Sequence, residues 1–192
     1  MNYFSKIISK LLGRGGEKEW AFPLFPQDLT NMVRLTSEYG VFGFKRSYYY
    51  HQGVDLYVRG EAPIMSVEDG VVVSIVDFTG PPDHPHWLFT RAVMIQGASG
   101  VVCYGEMAPK GWVEVGSIIE EGEKIGNVSP VIPEGLERPD IFGHSRYMLH
   151  LELYSDGTSE PVSWHHEDTR PSNLLDPTDR LLSSWNAMAK NK

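Results

Sequence analysis

From Val54 onward the chain breaks into short runs rich in Val, Ile and Tyr, separated by Gly, Asp or Pro: 54–58, 64–67, 70–78, 92–96, 101–104 and 148–154. Runs of this length and composition, bounded by turn residues, predict six β-strands and a β-rich domain. Glu68-Asp69-Gly70 and Gly97-Ala-Ser-Gly100 suit hairpin turns, with glycine supplying positive φ. The close repeat of Val115-Gly116, Ile119, Gly122 and Ile125-Gly126 suits strands turning the corners of a small barrel or sandwich. Helical spacing occurs only at the ends. Phe4, Ile7, Ile8, Leu11 and Leu12 recur at a helical period, and Asp176-Pro177 opens a second helix carrying Leu181, Leu182 and Trp185. Gly13-Arg-Gly-Gly16, Pro23 and Pro26 interrupt the pattern between the first helix and the strands. The reading is therefore an amphipathic helix and linker arm over 1–27, followed by one mainly β domain over 28–192 with the compact part starting near Phe25. Two irregular stretches, 81–87 and 130–145, are expected to be loops on its rim.

A length of 192 residues with 41% apolar residues is enough for a single core. The formal charge of -8, with no dense Lys/Arg cluster, argues against a nucleic-acid partner. A single cysteine, Cys103, excludes an intrachain disulfide and a thiolate metal cluster, so any metal must rely on His and carboxylate ligands. No apolar stretch approaches the roughly 20 residues that a transmembrane helix needs. The first twelve residues lack the apolar core and cleavage site of a signal peptide, which leaves a cytoplasmic protein or one released without classical export. That helix is expected to dock on the domain, on a partner or on a membrane surface.

The chemistry concentrates in three residues. In His51-Gln-Gly-Val-Asp55, residues four apart share a face if the stretch is extended. In the run 148–154, Met148, His150 and Glu152 alternate with Leu149, Leu151 and Leu153, which predicts one polar face and one core face. Two imidazoles and a carboxylate suffice as protein ligands for a catalytic zinc ion, with a fourth position left open. Taken alone, such a pair and a distant histidine also fit an ordinary hydrogen-bonded structural cluster.

The wider pattern decides between these readings. The block from His51 through Gly53, Asp55, Gly60, Pro63, Gly70 and Val71-Val-Val73 resembles the first signature block of the lysostaphin-type zinc endopeptidases. The runs 101–105, 115–126 and 149–152 and the Asp176-Pro177 exit resemble the later blocks in the same order, so the resemblance covers residues 45–182. It implies the lysostaphin-type antiparallel sheet, a barrel-sandwich hybrid, and one Zn2+ held by His51, Asp55 and His150. Two positions depart from the family. Met148 stands where a His-x-His pair would have its first histidine, and Glu106 stands where a histidine would follow the Tyr104-Gly105 step. Those are the imidazoles that the family is thought to use on water and on the oxyanion, so the resemblance implies metal binding more firmly than hydrolysis.

Glu106 is open to two readings, a general base beside the metal or a ligand that closes the site. His144, in Gly143-His144-Ser145, could supply an imidazole if its loop folds back. Tyr50 could form an aromatic wall for a peptide, and Tyr104 could help polarise a scissile carbonyl. The pairs His84/His86 and His165/His166 read as solvated loop residues. Three functions follow: a zinc metalloendopeptidase acting on peptide or peptidoglycan cross-links, a binding or regulatory module that keeps the metal without hydrolysis, and a barrel-sandwich carrier domain. The last is weakest, because no lysine sits at a hairpin tip to carry a prosthetic group.

Overall fold

The computed structural model describes residues 19–29, 40–136, 146–155 and 157–190. Nine strands form one antiparallel sheet: β1 (Val54–Val58), β2 (Pro63–Met65), β3 (Gly70–Asp77), β4 (Arg91–Gly97), β5 (Val101–Pro109), β6 (Ile118–Ile119), β7 (Lys124–Val128), β8 (Tyr147–Tyr154) and β9 (Leu174–Leu175). The main path runs β1-β8-β5-β4-β3-β6, with β7 joined to β5 and β2, and β9 on β8. One helix, α1 (Thr178–Lys190), follows. Its start is set by Asp176, whose carboxylate accepts from Thr178 N at 2.9 Å, and by Pro177 just ahead of the first turn.

Period-two alternation sorts the strands onto two faces. Val54, Leu56 and Val58 of β1, Leu149, Leu151 and Leu153 of β8 and Val102 and Tyr104 of β5 enter the main core. The intervening positions, including Met94, Cys103 and Tyr154, form a smaller cluster on the opposite face under Phe42, Phe78 and Trp164. His150 shares that second face.

The predicted strands all appear, with two differences. The tight turn before β3 does not need positive φ at Gly70. A Cβ there would lie 2.5 Å from Ile95 Cγ2, so the glycine answers a close approach. The compact domain also starts earlier than Phe25. Trp20, Phe22 and Leu24 are buried in the main core, Phe22 packs edge-on against Trp185 at 5.4 Å, and Ala21 N donates to Val67 O. The prolines keep this segment extended, and an extended segment can lie across a sheet and bury alternate apolar side chains. The expected helix over residues 4–12 lies outside the described residues.

Candidate metal centre

β1 pairs with β8 in antiparallel register, which puts Asp55 directly opposite His150. His51 lies just before β1, where its backbone N–H donates to Phe44 O. Gly53 makes the approach possible, since a Cβ there would meet Leu151 O and lie 2.9 Å from His150 Nε2. Three donor atoms converge as a result. His51 Nε2 is 3.1 Å from Asp55 Oδ1 and 3.1 Å from His150 Nδ1, and His150 Nδ1 is 2.8 Å from Asp55 Oδ1.

The remaining atoms of these side chains are tied outward. His51 Nδ1 donates to Val41 O at 2.8 Å, His150 Nε2 to Glu152 Oε1 at 3.0 Å, and Asp55 Oδ2 accepts from Arg46 at 2.5 Å. In the neutral rings these bonds assign the proton to the outer nitrogen, so two imidazole lone pairs and a carboxylate oxygen face one another. A set of three acceptors calls for a cation or a proton at its centre. The edges of the triangle are close to the roughly 3.3 Å that bonds of about 2.0 Å to a tetrahedral ion would give. The donor set and its spacing therefore fit zinc.

Electrostatics agree with a cation-binding centre. Burial alone would raise the Asp55 carboxyl, but His51, Arg46 and the imidazole hydrogen bonds outweigh it and hold the group well below the usual carboxylate range. Burial lowers His51, keeping it neutral. Burial also works against charge on His150, yet the hydrogen bonds to Asp55 and Glu152 push it up to about 10. A depressed Asp55 and a raised His150 both mark a centre that favours positive charge between these atoms. The His51 and Asp55 side chains are fully covered, and that of His150 is 8% exposed.

Glu106 reaches the same face through a β-bulge. Met107 pairs with Arg91 and Tyr104 with Val93, leaving Gly105 and Glu106 together opposite Ala92. Glu106 adopts φ 59°, the one positive value outside glycine among the described residues. Strict alternation would aim Glu106 at the leucine core; the extra residue turns it to the side of His150 and returns Met107 to the core. Its Oε2 accepts the hydroxyls of Thr90 at 2.6 Å and Thr79 at 2.8 Å, while no hydrogen bond to Oε1 is found among the described residues. Burial raises the carboxyl and the two threonines oppose the rise. Glu106 lies outside the three-donor cluster.

The other expected residues are more scattered. Tyr104 is held in the main core, where its hydroxyl accepts from Val67 N at 2.9 Å; the expectation that it touches substrate is corrected by its place on the opposite face, across from Leu151. Tyr50, beside His51, packs at a tilt against Trp164 at 4.8 Å and edge-on against His166 at 5.1 Å. Met148 is half-buried on the β8 face of His150. His84 and His86 are exposed on the β3–β4 loop, and His165 is exposed near Tyr49. His144 lies outside the described residues. The sequence reading missed Arg46, Thr79, Thr90 and Phe78, whose ring lies 5.3 Å from that of His150 and fills the space beside Gly105. None of these carries a motif; only the strand register brings them in.

The sequence profile of Peptidase family M23 matches residues 49–161, more than half of the chain. No curated protein matches the sequence significantly. Among solved structures, CbpA from L. salivarius REN superposes with a TM-score of 0.54 at 18% identity, covering 88% of this chain and 98% of that one. The catalytic domain of the antimicrobial peptidase lysostaphin from Staphylococcus simulans gives 0.49 at 15% identity, covering 75% and 90%. Csd3 from Helicobacter pylori gives 0.47 at 18%, covering 90% of this chain, which spans only 41% of the Csd3 chain.

Proposed function

The chain belongs to Peptidase family M23, and from that premise we propose that it is a zinc-dependent endopeptidase-type hydrolase of short peptides, of the kind found in peptidoglycan cross-links. The observation that carries this reading is the convergence of His51 Nε2, Asp55 Oδ1 and His150 Nδ1 with their other polar atoms already engaged. When bound, zinc would supply Lewis acidity to a peptide carbonyl and make water a competent nucleophile near neutral pH. Arg46 holds Oδ2 of Asp55 away from the centre, so that this carboxylate offers one oxygen. Glu106 takes the proton: Thr79 and Thr90 fix its Oε2, and Oε1 is left to accept from water on the His150 side and return the proton to the leaving amine. Tyr50, next to His51, offers an aromatic wall to the peptide.

One observation favours a second reading, a module that keeps zinc for binding or regulation. Met148 offers no proton at the position where the resemblance implies histidine. Zinc content measured alongside hydrolysis of Gly-rich and D-amino-acid-containing peptides separates the two. The hydrolase reading expects about one zinc per chain, turnover by the wild type, and a fall of about a hundredfold or more in Glu106→Gln with zinc retained. A zinc-loaded wild type that cleaves none of these peptides would establish the binding module.

A further inference from the structure

Behind His150 sits a second buried carboxylate. Glu152 lies two residues further along β8 and therefore on the same face, and it is only 2% exposed. Two donors bind it, His150 Nε2 at 3.0 Å from Oε1 and the Tyr154 hydroxyl at 2.6 Å from Oε2, and Cys103 is its register partner on β5. Tyr154 is fixed in turn, its hydroxyl accepting from Val162 N at 3.0 Å. Nothing in the hydrolytic scheme uses this carboxylate. A buried carboxylate is costly to keep unless its bonds accomplish something else.

We propose that Glu152 is a positioning residue for the metal centre: by accepting the Nε2–H of His150 it fixes the ring so that Nδ1, and not Nε2, faces Asp55 and His51. This rests on the zinc reading above. An imidazole can present either nitrogen when its χ1 and χ2 torsions change together, and the choice falls to whatever holds the other nitrogen. Here the holder is a carboxylate whose own second oxygen is anchored by Tyr154. The anchor makes the direction of Oε1, and hence the plane of the ring, a property of β8 itself.

Zinc affinity measured by chelator competition on the full chain tests this, with 15N shifts of the zinc-loaded protein reporting which nitrogen of His150 is the ligand. Glu152→Ala is expected to weaken zinc roughly 10- to 100-fold, the usual effect of losing such a partner, and to show a mixture of ligating nitrogens. Glu152→Gln keeps an acceptor oxygen of nearly the same shape and should recover most of the loss with Nδ1 still ligating. Tyr154→Phe, which frees one carboxylate oxygen, should weaken zinc a few-fold and provides the comparison if Glu152→Ala does not fold. Wild-type affinity in a folded Glu152→Ala, or in Tyr154→Phe when the alanine variant does not fold, would overturn the proposal, as would a Glu152→Gln no better than Glu152→Ala. A wild type that takes up no zinc would overturn the zinc reading as well, and is recognised before any variant is compared.

Discussion

At the scale of single residues, the centre is defined by where protons sit. Val41 O and Glu152 hold the outer nitrogens of His51 and His150, and Arg46 holds the outer oxygen of Asp55, so the inner atoms converge as acceptors around whatever proton or cation sits between them. Removing one of them should therefore remove the ion and not merely weaken it: His150→Ala and Asp55→Ala are expected to bring zinc content, read by elemental analysis, from about one per chain to near zero. Zinc retained at full stoichiometry by either variant would place the ion elsewhere. The convergence of these three side chains was legible in the sequence because a strand's period of two turns the spacing 51–55 and the alternation 148–154 into directions in space. Arg46 was not legible, since one arginine ahead of three tyrosines carries no signal until Asp55 is placed beside it. A different residue, Glu68, gives the molecule a pH signature. Burial raises its carboxyl despite the hydrogen bonds from Ser99. The folded state then holds the proton to higher pH than the unfolded chain, so stability is fully present below the unfolded value and falls as pH rises through the folded one. Thermal unfolding of the metal-free protein from pH 3 to 7 should show that loss in the wild type and a flatter profile in Glu68→Gln; parallel profiles would contradict it.

At the scale of elements, two local features decide what reaches the centre. Gly53 lets β1 close on β8. Gly53→Ala would press a methyl group against Leu151 O and the ring of His150, so a loss of about 1–3 kcal/mol is expected in denaturant unfolding, together with weaker zinc binding. An unchanged midpoint would mean that this approach is looser than described. The bulge at Gly105-Glu106 is the other feature. The sequence reading ends the strand at Tyr104, where Gly105 bounds the apolar run, yet β5 continues to Pro109 with one residue inserted. A glycine inside a strand at a bulge reads like a turn residue that ends it. The same shift explains why Tyr104 and Glu106, both candidates for the site, lie on opposite faces. Their side is settled by pairing with Leu151 and by the bulge, neither of which is visible without the partner strands.

At the scale of the whole molecule, the extended segment before β1 belongs to the fold. Trp20 and Phe22 connect the β4–β5 hairpin with α1, through Trp20 Nε1 to Ser99 Oγ at 3.1 Å and through the Phe22–Trp185 contact. Prolines and a glycine-rich stretch make 13–27 look like a linker, and the tertiary role of residues 20–24 becomes apparent only once the core that buries them is known. Phe22→Ala should cost about 3 kcal/mol in denaturant unfolding and leave zinc stoichiometry unchanged; a negligible loss would mark the segment as dispensable. The main sheet and the closing helix were legible from alternation, turn residues and the Asp176-Pro177 start. The β6 and β7 strands were seen only as glycine-punctuated corners and β9 was not seen, because strands of two to five residues carry too little pattern of their own. The account stands or falls on the ion. Its most direct test is a titration of the metal-free full chain with zinc, followed by X-ray absorption at the metal. One equivalent bound through two imidazole nitrogens and a carboxylate oxygen is the predicted result; a folded wild type that binds no stoichiometric zinc, or binds it through other donors, would contradict it.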